Sequence, residues 1–268
     1  MSKLKISIVT PSYNQGVYIE ETIKSVIEQN YSNLEYIIFD GGSTDSTCDI
    51  IKKYDGFITY WESKKDKGQS DAISKGLSIS KGEIFAWQNS DDRYLPGTLD
   101  YVAEIFKNNP HIDILFGGWN YINAKGEKIF TVIPKRFNVT KLRSGYKIPP
   151  QPAVFFRRSS IERVGGLNLL KQQVMDYDLY IKIINKDNMF VTNRILGDFR
   201  VHSTSKTISG KKEQMKELKE TRNEILKNQS GLHIRIYWFY SDVIETLKDY
   251  LHAKLKIFSI RDLLRRNT

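Results

Sequence analysis

The chain has 268 residues, of which 40% are hydrophobic and 27% are charged, an ordinary composition for a globular protein. Its formal net charge of +10 favours an anionic partner, and no stretch approaches the roughly 20 apolar residues of a transmembrane helix. The single cysteine, Cys48, excludes a disulfide framework and a zinc site built from several cysteines, and since Met1 begins no signal-peptide pattern, we expect a cytoplasmic protein.

Strands and helices alternate along about the first 110 residues. Short apolar runs at residues 5–10, 36–39, 58–61 and 83–88 predict strands. A helical pattern follows each run, as with Ile19, Ile23 and Val26 after the first. This alternation predicts an α/β fold with a mostly parallel, mixed sheet and helices on both faces.

Polar residues follow most of these strands. Because the carboxyl ends of parallel strands lie at one edge of the sheet, where open α/β sheets bind ligands, we expect these residues to line a single cleft. The candidates are Tyr13, Asn14, Asp40, Asp45, Asp71, Asp91 and Asp92.

Two adjacent acids, Asp91 and Asp92, follow the strand at residues 83–88, before a helix that Pro96 opens. Neighbouring carboxylates repel each other, so we expect a bound cation there. Hard oxygen ligands suit Mg²⁺ or Mn²⁺, and these ions in turn hold diphosphates. The alternative is a solvated turn.

From residue 112 the pattern changes. We expect a strand at 112–116 that ends at Gly117-Gly118, then a hairpin over 120–133. A proline-rich segment at 148–152 precedes a strand at 153–157. A helical turn begins near Met175, and another short strand ends at His202.

The last part of the chain is basic and helical. Residues 211–227 predict a charged helix, and a second helix after Gly231 has an apolar stripe lined by lysines and arginines. We therefore divide the chain into a domain of residues 1–208 and a basic amphipathic helical C-terminal extension of residues 209–268. The extension packs on protein, including a second copy in a homodimer, or lies peripherally on the anionic inner face of a membrane. No nucleic-acid-binding motif accompanies the basic residues, so no nucleic acid is expected.

Three motifs, in this order, resemble those of the family 2 glycosyltransferases of the GT-A fold: residues 9–14 (VTPSYN), 40–45 (DGGSTD) and 90–92 (SDD). The resemblance extends from about residue 5 to residue 202. It implies a metal-dependent, inverting enzyme that transfers a sugar from a nucleotide diphosphate donor, most typically a UDP-sugar, to an acceptor hydroxyl. A bacterial surface polysaccharide or a lipid-linked oligosaccharide is the acceptor we expect.

The resemblance also implies roles for the donor site. The loop after the first strand would hold the nucleobase, with Tyr13 as a stacking surface, and Asp40 would accept a hydrogen bond from the base. Asp71 would lie near the ribose or sugar, although Asp71 and Asp45 also fit as acids at helix N-termini. The residues assigned to the donor are Thr10, Pro11, Tyr13, Asn14, Asp40, Asp45, Asp71, Ser90, Asp91, Gln151 and Arg200.

For the metal, the resemblance implies Asp92, alone or together with Asp91, and His202 as ligands of the Mn²⁺ or Mg²⁺ that bridges the diphosphate. For the chemistry, it implies a general base in the family's Glu-Asp motif. Asp176 matches the aspartate of that motif, while Met175 replaces the glutamate. Asp178 is the rival base, and both aspartates also fit as acids at a helix N-terminus.

Two other functions remain open at this point. A nucleotidyltransferase also combines an α/β sheet with acids and Mg²⁺, but residues 11–16 lack the glycine-rich phosphate loop that it would need. A nucleotide- or carbohydrate-binding protein that has lost the chemistry is the second alternative.

Overall fold

The computed structural model describes residues 3–134, 139–143, 148–205 and 210–228. Their strands are β1 (Ile6–Ser12), β2 (Leu34–Asp40), β3 (Tyr60–Ser63), β4 (Ile84–Trp87), β5 (Arg93–Tyr94), β6 (Ile114–Ile122), β7 (Lys128–Val132), β8 (Val154–Arg157) and β9 (Met189–Arg200). Their helices are α1 (Ile19–Ile27), α2 (Thr47–Lys53), α3 (Gln69–Ile79), α4 (Thr98–Asn108), α5 (Val139–Arg143), α6 (Arg158–Arg163), α7 (Met175–Ile183) and α8 (Lys211–Asn228).

These strands form one mixed sheet in the order β3-β2-β1-β4-β8-β6-β9-β5, with β7 paired to β6. The first four strands of this order are parallel. Strand β8 runs antiparallel to both β4 and β6, whereas β9 runs parallel to β6. The predicted α/β fold with a mostly parallel, mixed sheet is therefore confirmed. The carboxyl ends of β1, β2 and β4 meet at one edge.

Alternation along the strands divides the core between the two faces of the sheet. In β1, Ile6 and Ile8 belong to the cluster that α1, α2 and α4 cover, whereas Val9 belongs to the cluster that α3, α6 and α7 cover. The predicted apolar stripe of α1 is buried through Ile23 and Val26. Helices thus pack on both faces, as the sequence pattern indicates.

Strand β6 differs from the prediction. We expected a strand end at Gly117-Gly118, but β6 continues through both glycines to Ile122. A Cβ at Gly117 would lie 2.4 Å from Leu196 Cγ, and one at Gly118 would lie 2.6 Å from Ile195 Cδ1. These glycines therefore permit a close approach to β9 instead of ending the strand.

In the C-terminal part, the predicted charged helix is present as α8. The second predicted helix, and with it the membrane and homodimer contacts expected of it, lies outside the described residues. Within the described ranges, no helix combines the length and the apolar character that crossing a bilayer requires. The division of the chain at residue 208 stays a prediction.

Candidate active site

The loop after β4 points its two acids in different directions. Asp92 is buried, with an exposed fraction of 1%. Its Oδ1 accepts a hydrogen bond from the Arg200 backbone N–H at 2.8 Å, and its Oδ2 accepts one from Asn89 Nδ2 at 3.0 Å. Burial, and secondly the charge of Asp91, raises the pKa of Asp92 well above its usual range. Asp92 therefore fastens this loop to β9.

Asp91 is more exposed, and it faces His202. Its Oδ2 lies 3.0 Å from His202 Nε2, and the other ring nitrogen, Nδ1, lies 2.9 Å from Thr204 Oγ1. The imidazole also packs against the ring of Tyr18, with 4.6 Å between centroids. Both ring nitrogens thus have oxygen partners, and the ring orientation is set from three sides.

The Arg200 side chain holds this loop through hydrogen bonds. It is fully buried. Nε donates to the Asp91 carbonyl at 2.8 Å, Nη1 donates to the Ala124 carbonyl at 3.1 Å, and Nη2 donates to Glu21 Oε2 at 2.7 Å. The guanidinium, which sequence reasoning assigned to the donor phosphate, therefore contacts protein groups through three of its nitrogens.

The two candidate bases of α7 have different surroundings. Asp178 is buried, and its Oδ2 lies 2.6 Å from Lys182 Nζ one turn further along the helix. Asp176 is half-buried, and its Oδ1 accepts a hydrogen bond from the Tyr177 backbone N–H at 2.7 Å. Burial, and secondly the charge of Asp176, raises the pKa of Tyr180. Asp176 is thus the more accessible carboxylate.

Gln151 contacts α7 through Tyr180. Its Nε2 donates to Tyr180 Oη at 2.7 Å, and its side chain is buried. Gln151 Oε1 is also buried and has no hydrogen-bond partner among the residues that the structure describes. An unpaired buried amide oxygen is costly, but this atom is enclosed by protein, so a ligand hydroxyl would reach it only if neighbouring groups moved.

The first turn of α3 connects the acid loop to α7. Gln69 Nε2 donates to Asn89 Oδ1 at 2.7 Å, two residues before Asp91. The next residue, Ser70, has its Oγ 2.9 Å from the Lys171 carbonyl oxygen and 2.7 Å from the sulfur of Met175, one residue before Asp176. The carboxylates of Asp91 and Asp176 are therefore on segments that flank one helical turn.

The loops after β1 and β2 are tied together. The buried Asp40 carboxylate accepts hydrogen bonds from the Ser43 backbone N–H at 2.8 Å and from Ser63 Oγ at 2.6 Å. Asn14, at a φ of 51°, donates its N–H to Ser43 Oγ at 2.7 Å and accepts from the Thr44 N–H at 2.9 Å. Both side chains thus shape the loops that would surround a nucleobase.

Four other donor candidates lie at or near this edge. Tyr13 is 60% exposed, which leaves its ring free to stack. Thr10 is buried, and its Oγ1 lies 3.1 Å from Tyr36 Oη. Pro11 lies within β1 and is buried, and Ser90 is buried in the acid loop.

Asp45 and Asp71 both hold local structure. Asp45 accepts from the Gly16 N–H at 2.9 Å and the Thr47 N–H at 3.0 Å. Slight burial raises its pKa, but these hydrogen bonds outweigh burial and lower it. Asp71 contacts Lys75 Nζ at 3.0 Å and accepts from the Lys67 N–H at 3.2 Å, and its pKa is likewise lowered despite some burial.

A divalent cation fits the Asp91–His202 pair. Within the described residues, no group of three or more His, Cys, Asp or Glu side chains is close enough to hold a metal ion. Mg²⁺ and related ions, however, are commonly bound by one or two protein ligands while substrate phosphates and water fill the other positions. One carboxylate and one imidazole, with Thr204 behind the imidazole, match such an open site.

Sequence reasoning missed three residues of this region. Gln69, Thr204 and Ser43 each hold a candidate side chain or loop in place. Gln69 and Thr204 stand in loops or first helical turns, where polar residues are common and do not indicate a partner. Ser43 belongs to the DGGSTD motif, but the motif does not indicate that its hydroxyl contacts Asn14.

Comparison with known proteins identifies the family. Residues 7–165 match the model of glycosyl transferase family 2. An uncharacterized glycosyltransferase of Rickettsia prowazekii is 26% identical over 258 residues, which cover 91% of this chain and 80% of that protein. A Rickettsia typhi relative, also an uncharacterized glycosyltransferase, is 27% identical over 209 residues, 75% of this chain and 65% of the relative.

Two solved structures have the same fold. The mannosyltransferase PcManGT from Pyrobaculum calidifontis, in complex with GDP-Man and Mn²⁺, superposes with a TM-score of 0.68 at 17% identity, over 100% of this chain and 80% of that chain. Residues 1–349 of S. aureus TarS, in complex with UDP-GlcNAc, superpose with a TM-score of 0.61 at 17% identity, over 77% and 61% of the two chains. The expected GT-A fold is confirmed.

Proposed function

The chain belongs to glycosyl transferase family 2, and from this premise we propose that it transfers a sugar from a nucleotide diphosphate donor to an acceptor hydroxyl with inversion. The observation that carries the proposal is the contact between Asp91 and His202 at the carboxyl end of β4. Through the first turn of α3, this pair is connected to the helix that bears Asp176. An acid–imidazole pair and a separate carboxylate are the groups that such a transfer needs.

We assign the metal ligands to Asp91 and His202. When His202 Nδ1–H donates to Thr204 Oγ1, the lone pair of Nε2 is free to bind an ion. Of the two acids considered as ligands from the sequence, we choose Asp91 over Asp92, because both Asp92 oxygens accept hydrogen bonds from the protein. Bound Mn²⁺ or Mg²⁺ would neutralise charge that develops on the leaving diphosphate.

Arg200 and Asp92 then act on the loop and not on the donor. Arg200 Nε holds the Asp91 carbonyl, while Asp92 Oδ1 holds the Arg200 backbone. These reciprocal contacts fix the direction of the Asp91 side chain before any ligand binds. Preorganisation of this kind lowers the cost of ordering the site in the transition state.

Asp176 is the proposed general base. Its carboxylate would take the proton of the acceptor hydroxyl as that oxygen forms a bond to the anomeric carbon. The bond between the anomeric carbon and the diphosphate oxygen breaks on the opposite side, and the nucleoside diphosphate leaves. Asp178 is less suited to this role because it is buried and paired with Lys182.

The loops around Tyr13, Asn14 and Asp40 are the proposed nucleobase site. The exposed ring of Tyr13 offers a stacking face, and the hydrogen bonds between the two loops keep that face in place. We propose a UDP-sugar as donor, and a contact of Gln151 with the donor sugar or the acceptor stays a prediction. The proposed acceptor is a hydroxyl of a bacterial surface polysaccharide or lipid-linked oligosaccharide, at the inner face of the cell membrane.

A donor screen tests this function. The protein would be incubated with Mn²⁺ and a panel of UDP-sugars and GDP-mannose, and release of nucleoside diphosphate would be measured. We expect release from at least one UDP-sugar by the wild type, and loss of release in Asp91→Asn and Asp176→Asn. Nucleotide binding without release from any donor would favour the binding-protein alternative. If the protein neither binds a nucleotide nor releases nucleoside diphosphate from any donor, the proposal is overturned.

A further inference from the structure

Helix α8 contacts the segment that leads into α7. Glu217, in the middle of α8, accepts hydrogen bonds from three consecutive backbone N–H groups, those of residues 172–174. Oε2 lies 2.8 Å from the Gln173 nitrogen and 3.2 Å from the Val174 nitrogen, while Oε1 lies 3.2 Å from the Gln172 nitrogen. One carboxylate thus satisfies the donors of a whole turn of backbone.

This turn ends where α7 begins. Val174 occupies the N-cap position of α7, and a valine side chain has no atom that can accept a capping hydrogen bond. Glu217 accepts from the N–H of the N-cap residue itself and from the two N–H groups before it, and it places a negative charge near the positive end of the helix dipole. Asp176 is the second residue of that helix, so the position of Glu217 influences where the proposed base lies.

Other contacts keep α8 in the same place. The buried Lys171 has its Nζ 3.6 Å from Glu220 Oε2 and 3.4 Å from Glu224 Oε1. Leu218 packs against the cluster of Val174 and Tyr177. Residues 217, 220 and 224 have the i, i+3, i+7 spacing of one helix face, and residue 218 lies beside them, so α8 docks through a continuous surface.

We propose that Glu217 is a positioning residue for sugar transfer, and that α8 braces the segment that holds Asp176. Glu217 contacts no reacting group; it acts through the backbone of residues 172–174. The inference rests on the proposed function, since it assigns Asp176 as the base. The contact also joins the two predicted domains, because Glu217 belongs to the extension after residue 208 and residues 172–174 belong to the catalytic domain.

Glu217→Gln is the direct test. Glutamine keeps one acceptor oxygen but turns an NH₂ group toward backbone donors and removes the charge. We expect kcat to fall about ten- to hundred-fold while the donor KM changes less than about two-fold. Glu217→Asp keeps the carboxylate on a shorter stem, so its kcat should lie between those of the wild type and Glu217→Gln. Glu213→Gln, an exposed acid on the same helix, is the matched control and should keep the wild-type kcat.

Hydrogen exchange gives a readout that does not need activity. The amides of residues 172–174 should exchange faster in Glu217→Gln than in Glu213→Gln, while the amides of β1 and β4 exchange equally in both. Wild-type kcat and unchanged exchange at 172–174 in Glu217→Gln would overturn the positioning role. So would faster exchange over the whole sheet, which indicates general destabilisation. A wild type that releases nucleoside diphosphate from no donor would instead overturn the proposed function.

Discussion

Asp91 Oδ2 and His202 Nε2 are 3.0 Å apart, although the two residues are separated by 111 positions in the chain. The contact depends on β9, whose last residue, Arg200, is bonded through its backbone to Asp92 and through its side chain to the Asp91 carbonyl. Two adjacent acids therefore have distinct tasks. Asp92 joins the loop after β4 to β9, and Asp91 presents its carboxylate beside an imidazole.

The two acids should respond differently to the same substitution. We expect Asp91→Asn to lower metal-dependent turnover by about 100-fold or more, because it removes a proposed ligand charge. Asp92→Asn removes a buried charge and keeps an oxygen that can accept from the Arg200 N–H, but its NH₂ group then faces the NH₂ group of Asn89. These two effects oppose each other, so its Tm at neutral pH should stay close to that of the wild type, and its turnover should fall less than that of Asp91→Asn. Turnover and thermal melting of both variants check this. Loss of turnover confined to Asp92→Asn would return the ligand role to Asp92.

Removal of the metal should abolish turnover without unfolding the protein. The proposed site has two protein ligands, and its neighbours Arg200 and Thr204 are held by hydrogen bonds that need no ion. We expect a chelator to stop nucleoside diphosphate release, Mn²⁺ to restore it, and Tm to change little. Calorimetric titration of UDP with and without Mn²⁺ would check the same point. Equal turnover after complete chelation would contradict a metal-dependent reaction.

The two aspartates of α7 offer a matched pair. Asp176→Asn should lower kcat by about 10²- to 10⁴-fold, the usual contribution of a general base, with nearly unchanged donor affinity. Asp178→Asn breaks the contact with Lys182 inside the helix, so it should lower Tm. Its kcat should fall less than that of Asp176→Asn. Steady-state kinetics and melting curves measure both effects. A larger loss of kcat in Asp178→Asn would transfer the base to Asp178.

Gly76 sets the distance between α3 and the sheet. A Cβ at this position would lie 2.5 Å from Val9 Cγ1, in a fully buried part of β1. We expect Gly76→Ala to cost about 1–2 kcal/mol of unfolding free energy, because overpacking exceeds the gain in helix propensity. Gly56→Ala is the control, since no atom lies within 4 Å of its Cβ position. Denaturant unfolding of both variants measures the difference, and equal stabilities would contradict it.

Much of the fold can be predicted from the spacing of apolar residues in the sequence. The apolar spacing of Ile19, Ile23 and Val26 predicts α1, and their burial confirms its inner face. The same kind of reasoning failed at Gly117 and Gly118. A glycine that ends a strand and a glycine that lets another strand approach look the same in a sequence. Only the neighbouring side chains, Leu196 at Gly117 and Ile195 at Gly118, distinguish them.

The site was less predictable than the fold. Asn14, Asp40 and Asp91 lie at or just after strand ends as expected, while their role in a cleft stays a prediction. The different surroundings of Asp91 and Asp92 depend on the turn after β4. Adjacent residues in a turn point in different directions, and spacing does not say which one faces the cleft. Glu217 had no signal at all, since one acid on a highly charged helix resembles any solvated acid.

The bracing of residues 172–174 by Glu217 affects how shortened forms of this protein would behave. A chain that stops at residue 205 would retain the nine strands that the structure describes and each proposed ligand, base and nucleobase contact. It would nevertheless leave three backbone donors and the Lys171 ammonium without the acids that face them. If such a fragment is inactive, the loss is explained by a less well positioned Asp176. It does not contradict the roles assigned to the residues of the cleft.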